Sequence, residues 1–218
     1  MMSVDELLKR VRLVINEAEG DSDVSLLSAD TRRLDDSIKE LLPRAVSFIQ
    51  KNKGATAGRV NTKSITPSSL NVTDNGSGGG QMVLPADFVE LVSLQLVGWL
   101  SPANRLCAHN SREAVWQQNA YTRAGSSKPV CIASFAPTGE RYAVLFPLPN
   151  GNGARVRHFV YEALFDAADG LNGYDSGMDD AVVYACASLL YTMFERYDAA
   201  SAMLSQALAA CGGQSGKQ

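Results

Sequence analysis

The chain has little of what catalysis and metal binding usually draw on. Two histidines, His109 and His158, are all that 218 residues provide, and four cysteines, Cys107, Cys131, Cys186 and Cys211, are widely scattered. A structural zinc site needs two close pairs of ligands. Cys107 and His109 make one such pair, and no second follows. The same two residues make a poor nucleophile–base dyad: two positions apart they rarely align, and no third group orients the imidazole. His158, between Arg157 and Phe159 in an alternating stretch, reads as an exposed or structural imidazole. The cysteines sit among apolar or small neighbours and read as small buried hydrophobes, ahead of disulfide, reactive or metal-binding roles.

Other absences exclude further classes. Twenty Lys and Arg face 23 Asp and Glu, a net charge of −3, so no broad phosphate-gripping surface is expected. Met1–Glu6 lacks a basic-then-apolar leader. No apolar run approaches the ~20 residues of a membrane span. The expectation is therefore a soluble, intracellular protein. Gly54–Arg59 lacks the spacing and the Lys-Ser/Thr end of a phosphate loop. The glycine run Gly76–Gly80 precedes a strand, whereas a dinucleotide fingerprint opens a helix. The acidic pairs Asp35-Asp36 and Asp179-Asp180 fall near expected helix starts, where carboxylates complement the helix dipole. Asn71-Val72-Thr73 matches a glycosylation acceptor but has no secretion signal to give it meaning. Arg155 and Arg157 share one strand face, by default a solvated one. The residues alone thus assign no catalytic, cofactor-binding or metal-ligating position.

What is present is a globular balance, 45% hydrophobic and 20% charged, with α+β patterning. Ser3-Val4-Asp5-Glu6 is spaced as a capping box, and Leu7, Leu8, Val11, Val14 and Ile15 follow at helical period up to Gly20. Gly20–Ser28 is a polar connection. A second helix from about Asp30 carries Leu34, Ile38, Leu41, Leu42, Ala45, Val46 and Ile49 on one face, with Pro43 kinking it or dividing it in two. Lys51–Gly80 is rich in Gly, Ser, Thr and Asn. Leu70–Thr73 and Gln81–Leu84 read as a hairpin across the Asn75-Gly76 turn, with a disordered linker as the alternative.

Leu84–Phe88 changes direction, with Pro85 opening a short helical turn, and Leu91–Trp99 reads as a strand. Ser111–Asn119 reads as a short helix with Val115 and Trp116 inward. Pro129–Phe135, Tyr142–Leu148 and Arg155–Glu162 read as strands, the last two divided by the Asn150–Gly153 turn. Met178 to Cys211 contains no Gly or Pro and stops at Gly212-Gly213. As one helix it would reach roughly 50 Å, so it crosses the molecule, projects from it, or bends near Arg196-Tyr197-Asp198. Its wide apolar stripe, from Val182 to Leu208, suits a central core helix or one partly buried in a neighbouring subunit.

Two stretches carry a resemblance. Leu84-Pro85-Ala86-Asp87-Phe88-Val89-Glu90-Leu91-Val92-Ser93-Leu94 runs on to Gly98-Trp99, and Gln117–Gly125 is followed by Lys128-Pro129-Val130-Cys131. With the leading helices and the long helical end, they resemble small virion proteins of tailed phages and prophages, of the head-to-tail connector or adaptor (neck) type. That resemblance implies helices packed with an antiparallel β-sheet or sandwich region and no active site or cofactor. It implies a homo-oligomeric ring contacting portal and tail proteins, made in the host cytoplasm and carried in the virion, without membrane or sequence-specific nucleic acid. The expected organisation is a single domain over 1–218. A helical part, 1–53 plus 178–212, encloses an inserted β-rich part, 60–165, and 213–218 is a flexible tail. Lys51–Gly80, poor in burial, is expected to be mobile in the free subunit and to order against a neighbour. The rival readings are a nucleic-acid-binding module using Arg32, Arg33, Lys39 and Arg44, and an enzyme whose polar groups converge only in the fold.

Overall fold

The structure is a computed structural model, and it describes residues 2–18, 28–54, 58–149, 155–166, 168, 170–171 and 178–212. In chain order the elements are α1 (Val4–Ala18), α2 (Ser28–Asn52), β1 (Thr62–Ile65), a 3-10 turn (Pro67–Ser69), β2 (Val72–Asp74), β3 (Gly80–Val83), β4 (Phe88–Leu96), β5 (Leu106–Cys107), α3 (Arg112–Trp116), β6 (Val130–Phe135), β7 (Arg141–Phe146), β8 (Val156–Ala163), α4 (Met178–Met193) and α5 (Tyr197–Ala210). The α+β class read from the sequence is what the structure shows. Two compact units form, Met1–Asn61 with Leu164–Gln218, and Thr62–Ala163.

In the helical unit, the Ser3 hydroxyl accepts the Glu6 amide at 3.2 Å and starts α1. Leu7, Leu8, Val11 and Ile15 are buried, the stripe that their spacing dictates. α2 runs unbroken through Pro43 as one helix, not two. The ring removes the donor that the Lys39 carbonyl would otherwise receive. Ile38, Leu42, Ala45, Val46 and Ile49, on either side of it, are fully buried, and that burial holds the helix together. α1, α2 and α5 all pack on α4, which explains why α4 is apolar nearly all round. Its Ala181, Ala185, Cys186 and Ala187 are small enough for close approach. Two buried hydroxyls are satisfied across helices: Tyr191 donates to the Ile15 carbonyl at 3.1 Å, and Ser188 to the Ala200 carbonyl at 2.8 Å.

Of the three courses open to the terminal run it takes the bend, and α4 and α5 form a helical hairpin in place of one long helix. The bend falls at residues 194–196, one step ahead of Tyr197. The Arg196 amide donates to the Tyr191 carbonyl at 2.9 Å and the Glu195 amide to the Thr192 carbonyl at 3.1 Å, while Glu195 takes φ 61°. This is the Schellman pattern of helix termination, here built on a glutamate where glycine is usual. α5 ends at Ala210, and Gly212 just beyond its cap takes φ 63°. The expected tail 213–218 and the connections at 19–27 and 150–154 lie outside the described residues.

In the second unit, a five-stranded sheet is ordered β2-β3-β7-β6-β5, antiparallel except for the β5–β6 pair, and a three-stranded antiparallel sheet is ordered β1-β8-β4. Met82, Cys131, Ala143 and Leu145 from the first share one core with Leu91, Leu94, Phe159 and Tyr161 from the second. Phe88, Phe159 and Tyr161 stack with ring centroids 5.1–6.2 Å apart. The hairpin forms as read, with Val72 opposite Met82. Asp74 and Asn75 carboxyl and amide oxygens accept the amides of Gly76, Ser77 and Gly79, and Gly76 and Gly78 take positive φ.

Three sequence readings change. β4 begins at Phe88, three residues ahead of Leu91, because Pro85-Ala86-Asp87 makes only a turn, closed by the Phe88 amide on the Pro85 carbonyl. α3 turns Val115 (56% exposed) and Trp116 (43%) outward. Arg112 lies over the Trp116 ring at 4.6 Å, and Ala114 and Gln117 face inward. The Lys51–Gly80 segment, outside residues 55–57, belongs to the subunit's own fold. Val60 and Asn61 are buried, β1 pairs with β8 along Thr62–Ile65, and the hairpin joins the larger sheet.

Candidate functional site

The structure does not gather the polar residues singled out in the sequence. His109 lines a cleft of about 420 Å³ on the outer side of the five-stranded sheet, with Asn75, Gln117, Arg123 and Tyr142. Cys107 lines a different one, about 390 Å³, with Arg105, Lys128 and Cys131. The two residues therefore address separate spaces, as their sequence spacing suggested. Within the first cleft Gln117 has a positioning role. It is buried, its amide group donates to the Glu113 carbonyl at 2.9 Å, and its side-chain oxygen accepts the Ala124 amide at 2.8 Å.

The cysteines are unpaired, with Cys131, Cys186 and Cys211 buried and Cys107 half-buried. Burial pushes the Cys186 thiol up to about 12 and the Cys131 thiol higher still, with the nearby Cys107 adding to the latter. Such thiols are packing groups, not nucleophiles.

Sequence reasoning missed one pair. Ser93 on β4 and His158 on β8 lie 2.7 Å apart, Oγ to Nε2. The pairing register sets Gln95 opposite His158 and Ser93 opposite Val160, so the contact is diagonal across two strands. No local signal in the sequence could reveal it. The sequence also gave no warning that Glu162, at the polar end of an alternating strand, is fully buried.

Charged residues serve the helix junctions. Arg10 meets Asp179 at 2.5 Å and Asp180 at 3.6 Å, so this acidic pair opens α4 and ties it to α1. Asp35 meets Arg12 at 2.6 Å. It lies in the eighth position of α2, not near a helix start, because α2 begins at Ser28. Lys39 and Arg44 are exposed on a helix that also carries Asp36 and Glu40, while the side chains of Arg32 and Arg33 lie outside the described residues. Arg155 and Arg157 are exposed. In the β unit, Asp87 takes the Tyr161 hydroxyl at 2.9 Å and the Lys63 ammonium at 3.1 Å. Burial first, and that bond to Asp87 second, push the Tyr161 phenol up to about 12.

Among the described residues, no three His, Cys, Asp or Glu cluster in a way that suits a metal ion, and no helix is long and apolar enough to cross a membrane. A third cleft, about 280 Å³, opens where the two sheets meet at β4 and β6.

Ion pairs at helix junctions, satisfied hydroxyls between helices and a cross-strand polar pair are the interactions of a scaffold. They assign no function by themselves; the class, a structural virion protein of the phage adaptor type, comes from the family comparison. The SU10 adaptor protein family model matches residues 2–217, nearly the whole chain, and the chain belongs to that family. Among curated proteins, none matches it.

Proposed function

We propose that the chain is a non-enzymatic head-to-tail adaptor that assembles, copy beside copy, into an oligomeric ring in the virion neck, with portal on one side and tail proteins on the other. Family membership over residues 2–217 carries the proposal. The subunits are made in the host cytoplasm and leave in the virion. A structural feature supports self-association. Met193 (50% exposed), Phe194 (52%) and Tyr197 (65%) are exposed at the turn between α4 and α5. Three large exposed apolar side chains within five residues are surface that a partner would cover.

The test is native mass spectrometry and negative-stain microscopy of the purified chain, alone and with a portal protein from the same phage genome. Rings are expected with the portal, and the double variant Phe194→Glu, Tyr197→Glu should stay folded and fail to assemble. A parent chain that remains monomeric with the portal present would remove the ring from the proposal. Phage particles complete without the chain would remove the adaptor role.

A further inference from the structure

The cleft at the meeting of the two sheets has a feature that packing alone leaves unexplained. β6 pairs with β7 along its whole length. The Ala136 amide donates to the Glu140 carbonyl at 2.9 Å, and the Leu84 amide to the Arg141 carbonyl at 3.0 Å. These two bonds fix the alternation. Val130, Ile132 and Ser134 bond to β7, whereas Cys131, Ala133 and Phe135 turn their amides and carbonyls to the opposite edge. β5 covers that edge only at Cys131 and Ile132, and then ends. The backbone of Phe135 therefore faces the cleft beyond the last strand, and its side chain is 68% exposed. Across the gap lie Phe88 and Leu91 of β4, with Leu84 and Leu106 completing an apolar floor. An exposed edge of this kind is a template for another strand.

The charge at the rim is unequal. Arg105 and Arg141 line the opening against a single carboxylate, Glu90. Arg105 already meets Glu113 at 3.1 Å. Arg141 donates to the neutral Ala86 carbonyl at 3.2 Å and lies 6.0 Å from the Phe88 ring.

We infer that this cleft receives an extended segment of a partner protein, which continues the sheet from the open end of β6, sets an apolar side chain on Leu84, Phe88 and Leu91, and places a carboxylate on Arg141. Main-chain bonds supply attachment and the alternating side chains supply selectivity, as in other strand additions. The volume, about 280 Å³, accommodates one or two apolar side chains. The inference is independent of ring formation, since a ring could form with this seam empty or filled.

Fluorescence anisotropy on the full chain tests it. The probes are a fluorescein-labelled hexapeptide alternating valine and glutamate, and its valine–lysine counterpart. The acidic peptide should bind saturably and the lysine peptide should not. Phe135→Pro removes the amide that faces the cleft without removing a bond to β7, a position where a sheet tolerates proline. It should weaken binding about tenfold, the equivalent of ~1.4 kcal/mol. Arg141→Gln, which keeps a donor for Ala86, should weaken the acidic peptide and abolish the preference over the lysine peptide. Absence of saturable binding at millimolar peptide, equal binding of both peptides to the parent, or parent-like binding by both variants would overturn the inference.

Discussion

Glu195→Gly is expected to stabilise the helical unit, because glycine is the residue that this helix ending ordinarily carries. Glu195 has φ 61°, in the left-handed region that costs an L-residue roughly 1–2 kcal/mol. Its side chain is exposed, so little packing is lost on removal. The bonds that end α4 involve the backbone alone, from the Glu195 and Arg196 amides to the Thr192 and Tyr191 carbonyls, and glycine keeps both. Glycine also gains freedom in the unfolded chain, which offsets about 0.5–1 kcal/mol. The net expectation is a gain of about 0.5–1 kcal/mol, or a Tm rise of about 1–4 °C in a chain of this size. Urea denaturation followed by circular dichroism at the helical band should show a higher midpoint at unchanged slope. Glu195→Val, β-branched and ill-suited to this φ, should lose stability in the same assay. A Glu195→Gly midpoint below the parent's would refute the reasoning and assign the glutamate side chain a stabilising contact.

Leu8→Asp places a charge at a buried position of α1 and should abolish cooperative unfolding or lower the Tm sharply, because an unpaired buried carboxylate is expensive. Gly78→Ala meets both a φ of +75° and the Arg123 guanidinium 2.6 Å from the new Cβ, so it should cost about 1–2 kcal/mol in the same denaturation assay. A thiol reagent added to folded protein should label half-buried Cys107 first, with Cys131, Cys186 and Cys211 reacting only on unfolding. The Tyr161 phenol is raised to about 12 in the fold from about 10 in the unfolded chain. Its contribution is therefore fully present below pH ~10 and lost as pH rises toward ~12, and Tyr161→Phe should flatten that part of the stability–pH curve.

The parts of the fold legible in the sequence were those specified by neighbours in the chain. α1 carries its own cap at Ser3 and its own stripe. The β2–β3 hairpin carries Asn75 and the glycines that its turn requires. The break near Arg196 was legible only from the length of the run, because its usual marker, glycine, is absent at Glu195. The bend is set by α4 and α5 packing on each other, with Ser188 bonding to the Ala200 carbonyl, and tertiary burial overrides the helical preference of a Gly-free and Pro-free run. Val115 and Trp116 misled for a related reason. In a helix of only five residues, Gln117 secures the inward side through two backbone bonds, and the large apolar residues are left outside. The Ser93–His158 pair and the cleft at β4 and β6 depend on strand register, which bulges in the β4–β8 ladder shift three times. No periodicity in one strand records that.

The helical hairpin also changes where self-association is to be sought. The wide apolar stripe from Val182 to Leu208 suggested a helix shared with a neighbouring subunit. Within one chain, α1, α2 and α5 already cover α4, and Val182, Cys186 and Leu190 are fully buried. The α4 part of the stripe is thus spent inside the subunit, while Met203, Leu204 and Leu208 on α5 stay partly exposed. Exposed on this hairpin is the turn itself, where Met193, Phe194 and Tyr197 lie. The break therefore does two jobs at once: it closes the subunit core on α4 and presents an apolar tip. If that tip is the ring contact, straightening the hairpin and charging the tip should differ in outcome. Glu195→Pro, which cannot adopt the φ of 61°, should unfold the helical unit and with it any assembly. Phe194→Glu with Tyr197→Glu should leave the melting curve near the parent's and remove assembly alone. Loss of both folding and assembly in the charged pair would show that these side chains belong to the subunit core, and the ring contact would have to lie on another face.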